Sequence, residues 1–583
     1  MLYPIENEIR QVKCLNGIWQ FRYEQRFGQG FEERWYEKPL EAAMEMPVPA
    51  SYNDITVDSN LRDHTGWVWY ERSFAIPADW MEKRLVLRFG SVTHHAIVYV
   101  NGAAVTTHKG GFLPFEAELN GHVIPGMNRL TVAVSNLLDQ DCLPFGLIRD
   151  AEPADYSAEE KIQEYQFDFF NYSGIHRPVK IYTTPPEGYI RDITVVTGID
   201  GADGTVSYTI RTEGTIEPYE ITLLDEAGVP VAVADTPEGT LVVKNAHFWD
   251  VRAAYLYQLD VRAGEDHYTL PVGIRTVAVT EKQLLLNGKP VYLKGFGKHE
   301  DSDIRGKGLD EALNVRDFEL MKWIGANSFR TSHYPYSEEL MQMADRQGFL
   351  IIDEAPAVGM HFWPDLKVFA PGHVDTRTLE HHKQVLTELY QRDKNHPCVI
   401  MWSVANEART SEPEALPYFA EVTAHIRSLD NTRPITNVMC EGPDVDTVSQ
   451  LCDVLCINRY YSWYENTANL ASIYPKLTAE FRRWYEKYHK PVMMSEYGAD
   501  TIPGLHKLPE VIFSEEYQAA YYRENNRALD DCDFVIGEHL WAFADFMTSY
   551  GLRRIDGNKK GIFTRQRQPK SVAFVIRDRW NKR

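Results

Sequence analysis

The 583-residue sequence holds no run approaching the ~20 apolar residues needed to cross a bilayer. Met1–Arg10 lacks the basic-then-apolar order of a secretory leader. These absences point to a soluble, cytoplasmic protein with no membrane partner. Cysteine is scarce and odd in number: Cys14, Cys142, Cys398, Cys440, Cys452, Cys456 and Cys532, with no CxxC pair. A disulfide scaffold is therefore not expected, and the seven read as reduced thiols. Cys452 and Cys456 flank an apolar run, so they read as core residues rather than ligands. Cations are in deficit, with 61 Lys plus Arg against 83 Asp plus Glu and a net charge of -22. Such a surface repels nucleic acid and anionic membranes. Low-complexity tracts and internal repeats are also missing, which leaves no disordered or solenoid reading.

What is present is core material, 44% hydrophobic and 12% aromatic, in a chain long enough for about three or four domains. Residues 1–182 show short alternating or apolar runs, such as Arg84–Phe89, His95–Val100 and Asn128–Val134, separated by turn residues. That pattern predicts a β-sandwich. Residues 183–276 repeat it at the length of an immunoglobulin-like domain, and Thr184-Pro185-Pro186 marks the boundary. From 277 to 583 strands alternate with helix-length amphipathic segments, the rhythm of parallel β/α architecture. Eight strands can be counted: Val291–Gly297, Asn327–Ser332, Phe349–Asp353, Val399–Val404, Pro434–Val438, Val454–Asn458, Pro491–Ser495 and Phe534–Trp541. A closed TIM (β/α)8 barrel satisfies that count.

In such a barrel chemistry sits where strands end at the C-terminal face. The first strand ends in His299-Glu300-Asp301, the second in Arg330-Thr331-Ser332-His333-Tyr334, and the third in Asp353-Glu354. The fourth ends in Asn406-Glu407, the sixth in Asn458-Arg459-Tyr460-Tyr461, the seventh in Glu496-Tyr497 and the eighth in Trp541. Carboxylates, amides, His and aromatics around one rim suit sugar recognition better than metal binding, so no metal is assigned to His299, Asp301 and His333. Glu407 and Glu496 stand across the mouth from each other, and a retaining glycosidase needs two carboxyls about 5 to 5.5 Å apart. Glu407 is the candidate acid/base and Glu496 the nucleophile. Asn406 can bind a sugar 2-hydroxyl, and Tyr460 can hold Glu496 ionised. The two roles demand opposite protonation, with Glu407 raised and Glu496 low, so a slightly acidic to neutral optimum is expected.

Asn327–Pro335, Trp402–Glu407 and Ser495–Gly498 resemble the signatures of glycoside hydrolase family 2, and the resemblance runs essentially end to end. It implies a jelly-roll sugar-binding domain first, then the immunoglobulin-like sandwich, then the TIM barrel. Asp168-Phe169-Phe170-Asn171-Tyr172 is similar to a family segment whose aspartate reaches substrate hydroxyls. Trp541 matches a sugar-platform position, and His333, Asn458 and Tyr464 join it as substrate-binding candidates. Asp556–Arg565 resembles the segment found in family members that cleave β-glucuronides, with Asn558 and Lys560 as its Asn-x-Lys unit and Arg554 close by. An ammonium and an amide donor compensate the C6 carboxylate that separates a uronic acid from a neutral hexose.

The resemblance thus implies an exo-acting, cofactor-free enzyme that hydrolyses small-molecule or oligosaccharide β-D-glucuronides by double displacement, as a homo-oligomer (dimer or tetramer). Two other readings stay open: a β-galacturonidase or β-galactosidase of the same family, and a non-catalytic carbohydrate-binding protein. Residues 358–375, with Met360, Phe362, Trp363 and Phe369, lack clear periodicity and read as a lid whose apolar residues could meet an aglycone.

Overall fold

The computed structural model describes every residue except Tyr156, Ala158 and Arg583. Two antiparallel sheets, of four and six strands, build the first sandwich between Val12 and Thr184. Its long pairing of Gly126–Ser135 with Trp67–Ile76 sets the register that turns Tyr70, Val98, Val132 and Leu87 toward one core. A second sandwich spans Tyr189 to Val272, in sheets of three and four strands. Its core is Ile193, Val206, Leu223, Leu259 and Val261, the inward residues of alternating strands. A small three-stranded sheet between Val277 and Val291 leads into the barrel.

The barrel is closed by eight parallel strands in sequence order, from Leu293–Gly297 to Val535–Trp541. The fourth, Val399–Asn406, is buried at every position, as a strand covered on both faces must be. Capping residues fix where the surrounding helices start. Asp310, Ser337 and Ser514 each accept a backbone N–H of the first turn, and Asp375 forms a full capping box. All seven cysteines are free, and Cys452 and Cys456 are buried. No helix among the described residues is long and apolar enough to cross a membrane.

Both sandwiches lean on the barrel through buried polar contacts. Arg88 grips Glu338 with two bonds of 2.8 and 2.9 Å, and Arg177 donates to the Pro335 carbonyl at 2.6 Å. On the other side the Trp249 indole donates to the Asp345 carbonyl at 2.8 Å. The first sandwich also pins a barrel loop, since Phe170 N–H donates to the Met547 carbonyl and Phe169 bridges Thr548. That clamp carries Asp168 to the barrel mouth.

Segment 358–375 differs from the expected lid. Met360, Trp363, Val368, Phe369 and Val374 are all buried, and of the segment's large hydrophobic side chains Phe362 alone is largely exposed. Glu412 accepts the N–H groups of Val368 and Phe369 at 2.9 and 2.7 Å, while Arg409 binds the carbonyls of Trp363 and Leu366 at 2.7 Å each. The apolar residues without a period belong to the core because the loop is folded onto the barrel rather than over open water.

Candidate active site

Glu407 follows the fourth strand with φ 53°, a left-handed turn fixed by its N–H donating to the Val438 carbonyl at 2.8 Å. That turn swings the carboxyl over the mouth, where the Asn458 amide donates to Oε1 at 2.8 Å. Ser495 Oγ binds Asn458 Oδ1 at 2.9 Å and so orients the amide with its nitrogen toward Glu407. Burial, reinforced by the charge of Glu496, pushes the Glu407 carboxyl up to about 8. Near neutral pH it holds a proton to give away.

Glu496 ends the seventh strand and is held differently. Arg330 Nη2 donates to Oε1 at 2.5 Å, the Tyr460 hydroxyl donates to Oε2 at 2.7 Å, and His333 Nε2 stands 3.7 Å away. Arg330 is itself fully buried and also grips Glu354, with bonds of 2.7 and 2.8 Å from Nη1. Glu354 further accepts from Ser403 at 2.7 Å and lies 2.8 Å from His333 Nδ1. Burial and the Glu496 carboxylate hold the Tyr460 phenol well above its ordinary range, so it acts as a neutral donor. Asn406 Oδ1 lies 3.4 Å from both Arg330 Nη1 and Asn458 Nδ2 and completes this ring of polar groups.

Trp541 is buried with its ring stacked on His333 at 5.1 Å and edge-on to His299 at 5.4 Å. Gly297 makes that packing possible, because a Cβ there would lie 2.5 Å from the indole.

A second cluster adjoins the first through two tyrosines, Tyr460 and Tyr464, whose ring centroids are 5.1 Å apart. Lys560 Nζ donates to the Tyr464 hydroxyl at 2.8 Å and to Asp500 at 2.5 Å, beneath the faces of Tyr464, Trp463 and Tyr460 at 4.8 to 5.7 Å. Arg554 donates to Asp168 at 2.7 Å and to Tyr464 at 2.8 Å, and Asn558 donates to the other Asp168 oxygen at 2.6 Å. Burial lifts the Asp500 carboxyl, but Lys560 and Arg554 outweigh it and leave its pKa lowered.

The structure thus gathers Glu407, Glu496, Asn406, Asn458, Tyr460, His333 and Trp541 in one group and Asp168, Tyr464, Arg554, Asn558 and Lys560 in the next. Sequence reasoning passed over three further members. Arg330 and Glu354 stood at strand ends among many polar residues, with only their position as a signal. Asp500, four residues after Glu496, gave none. Its presence alters the charge account: Lys560 and Arg554 are balanced by Asp500 and Asp168, because a buried ammonium needs a counter-ion of its own. The pair is therefore a set of oriented N–H donors rather than bare excess charge.

Among the described residues the one His/Cys/Asp/Glu grouping with metal-ligand spacing is Asp345, His396 and Cys398, below the opposite end of the fourth strand. Burial lowers the His396 pKa but Asp345 more than reverses this, lifting it to about 9.

A (β/α)8 barrel whose fourth and seventh strands end in one protonated and one hydrogen-bonded glutamate defines a glycoside hydrolase. The chain belongs to glycosyl hydrolase family 2, for it matches the family's sugar binding domain over residues 12–185 and its TIM barrel domain over 277–583. It is 50% identical to a β-glucuronidase of Paenibacillus borealis, across 100% of this chain and 98% of the relative. Among solved structures, a β-glucuronidase of an uncultured Clostridium species is 60% identical, with TM-score 0.97 and 100% of both chains covered. A Ruminococcus gnavus β-glucuronidase solved in complex with D-glucuronic acid is 43% identical, with TM-score 0.93 and 99% of each chain covered.

Proposed function

We propose that this protein is an exo-acting, retaining β-glucuronidase that releases D-glucuronate from glucuronide conjugates or from the termini of glycans. Glu496 attacks C1 of the glucuronyl residue while Glu407 protonates the leaving oxygen, giving a covalent glycosyl-enzyme and the free aglycone. Glu407, now a carboxylate, then takes a proton from water, which attacks C1 and frees the acid with its β configuration retained. The Tyr460 and Arg330 donors hold the Glu496 carboxyl in place for attack. Asn406 and Asn458 bind hydroxyls beside the reacting carbon, while His333, Trp541 and Asp168 shape the rest of the sugar site.

One observation carries the substrate assignment: Lys560, Arg554 and Asn558 form a donor cluster separated from the nucleophile only by the Tyr464–Tyr460 pair. A C6 carboxylate has donors to meet there, whereas a hydroxymethyl group has no use for two cations. Residues 1–182, 183–276 and 277–583 act as its three structural units, of which the first contributes to the sugar site. The enzyme works without a cofactor, in the cytoplasm, as a homo-dimer or tetramer; seven free thiols support a reducing compartment. Light scattering on the purified protein decides the assembly.

A panel of 4-nitrophenyl β-glucuronide, β-galacturonide and β-galactoside, with Glu496→Ala as the control, tests the reading. Turnover of the glucuronide well above the other two is expected. Faster turnover of the galactoside or galacturonide, or no turnover of any, would refute it.

A further inference from the structure

Far from the sugar site, a cavity of about 170 Å³ lies where the second sandwich meets the N-terminal end of the barrel. It shares Val277, Thr432 and Arg433 with a neighbouring trough of about 420 Å³. Three cations line the cavity, Arg275, Lys394 and Arg433, each more than nine-tenths buried or nearly so in its side chain. Lys394 is paired with Asp192, and Arg433 is paired with Asp430 at 2.7 Å. Arg275 has no carboxylate within ion-pair distance among the described residues. Its Nε donates to the Pro397 carbonyl at 3.0 Å and its Nη2 to the Val399 carbonyl at 2.7 Å, which leaves Nη1 without a protein acceptor.

We propose that this cavity is a binding site for a small oxyanion of the phosphate class, with the Arg275 guanidinium as its anchor. A buried guanidinium bound only to neutral carbonyls has unmet charge, and a phosphate oxygen matches the planar N–H fork that Arg presents. Lys394 and Arg433 add positive potential around it, against a chain whose net charge is -22. The unmet charge also registers on the group itself, since burial and the nearby Arg433 push the Arg275 pKa down to about 9. An anion beside it would reverse that cost. The adjoining trough leaves room for the organic part of a phosphate ester, so free phosphate and an ester are the two sources of the same chemistry.

Phosphorus NMR and calorimetry on the full-length protein, titrated with inorganic phosphate at constant ionic strength, test the proposal. One saturable site per chain is expected, together with a Tm that begins to rise at the same concentrations and then climbs with the logarithm of phosphate concentration. Glucose 1-phosphate run in parallel separates the sources: tighter binding than phosphate assigns an ester, weaker binding assigns the free ion. Arg275 also ties barrel carbonyls together, so its removal could unfold the protein. The discriminating variant is Val196→Glu, because Val196 lines the cavity and is 44% exposed. A carboxylate there neutralises the guanidinium and should weaken phosphate at least tenfold, while Val196→Gln retains it. Equal phosphate binding by Val196→Glu and the parent, or no saturable binding up to tens of millimolar, overturns the proposal.

Discussion

Glu407 decides the pH behaviour. With its carboxyl at about 8, the free enzyme holds the proton the leaving group needs across neutral pH and loses it above. The profile of kcat/KM on a glucuronide with a poor leaving group should therefore fall about tenfold per unit above roughly pH 8. Glu407→Gln should remove that limb and cost about a hundredfold to ten-thousandfold on such substrates. The same shift has a stability consequence. The folded carboxyl binds its proton more tightly than the unfolded one, whose ordinary value is near 4.5. Stability is thus full below that value, falls as pH rises toward about 8, and stays reduced above it. Glu407→Gln, neutral at every pH, should melt higher than the parent at pH ~9 and alike at pH ~4, by an amount on the order of 5 kcal/mol at the alkaline end. Thermal melts at the two pH values check this, and a Gln variant less stable than the parent at high pH contradicts it.

On the proposed assignment Lys560 carries two roles that one substitution confounds. Lys560→Ala removes a charge-assisted donor to the sugar carboxylate, for a loss of about tenfold to a hundredfold in kcat/KM on the glucuronide. It also takes the nearest counter-charge from the buried Asp500, which keeps only Arg554 at 3.4 Å and the Lys559 N–H, so the cost is a part of the roughly 3 to 5 kcal/mol of a fully uncompensated buried charge. Lys560→Ala combined with Asp500→Asn should recover most of the stability and none of the glucuronide activity. Melting temperature and kinetics read on the same samples separate the two, and recovery of activity in the double variant would place the specificity elsewhere.

Among elements, the barrel strands were legible because a parallel strand covered on both faces reads as a nearly continuous apolar run, as residues 399–405 do with Ser403 their one polar residue. Their ends were legible because polar residues right after such a run have little structural reason to be there. Segment 358–375 was misread for the converse reason. Its apolar residues have no period to indicate which face is buried, and they pack on residues distant in sequence, Trp363 on Phe145 and Phe369 on Tyr418 and Phe419, while Glu412 and Arg409 hold the backbone. Arg330, which bridges Glu354 and Glu496, and Asp500, which neutralises Lys560, depend on strands far apart in sequence. No local pattern encodes such pairs. Since Glu412 takes two backbone N–H groups at once, Glu412→Ala should leave both without acceptors and cost about 1 to 3 kcal/mol. Hydrogen exchange should speed at Val368 and Phe369 first, and unchanged protection there would mean the segment is held by its apolar packing alone.

At the scale of the whole molecule, the sugar site is divided between domains that fold around separate cores. Asp168 belongs to the first sandwich, yet its two oxygens accept from Arg554 and Asn558 of the barrel. The segment that leads into those two residues is held by Phe169 and Phe170, which contact Thr548 and Met547. On the proposed reading the docked sandwich also aims donors of the sugar site, which gives a barrel enzyme reason to keep a sandwich beside its mouth. Asp168 separates recognition from mere docking, because its side chain is 36% exposed and its ion pair is too well solvated to matter much for stability. Asp168→Ala should leave the melting temperature nearly unchanged, since Phe169, Arg88 and Arg177 keep the interface closed. Arg554 and Asn558 would lose the carboxylate that aims them, and kcat/KM on the glucuronide should drop about tenfold or more, mostly through KM, as expected when an oriented charged contact is lost. A large fall in melting temperature with unchanged KM would reverse the assignment and make Asp168 a docking residue alone.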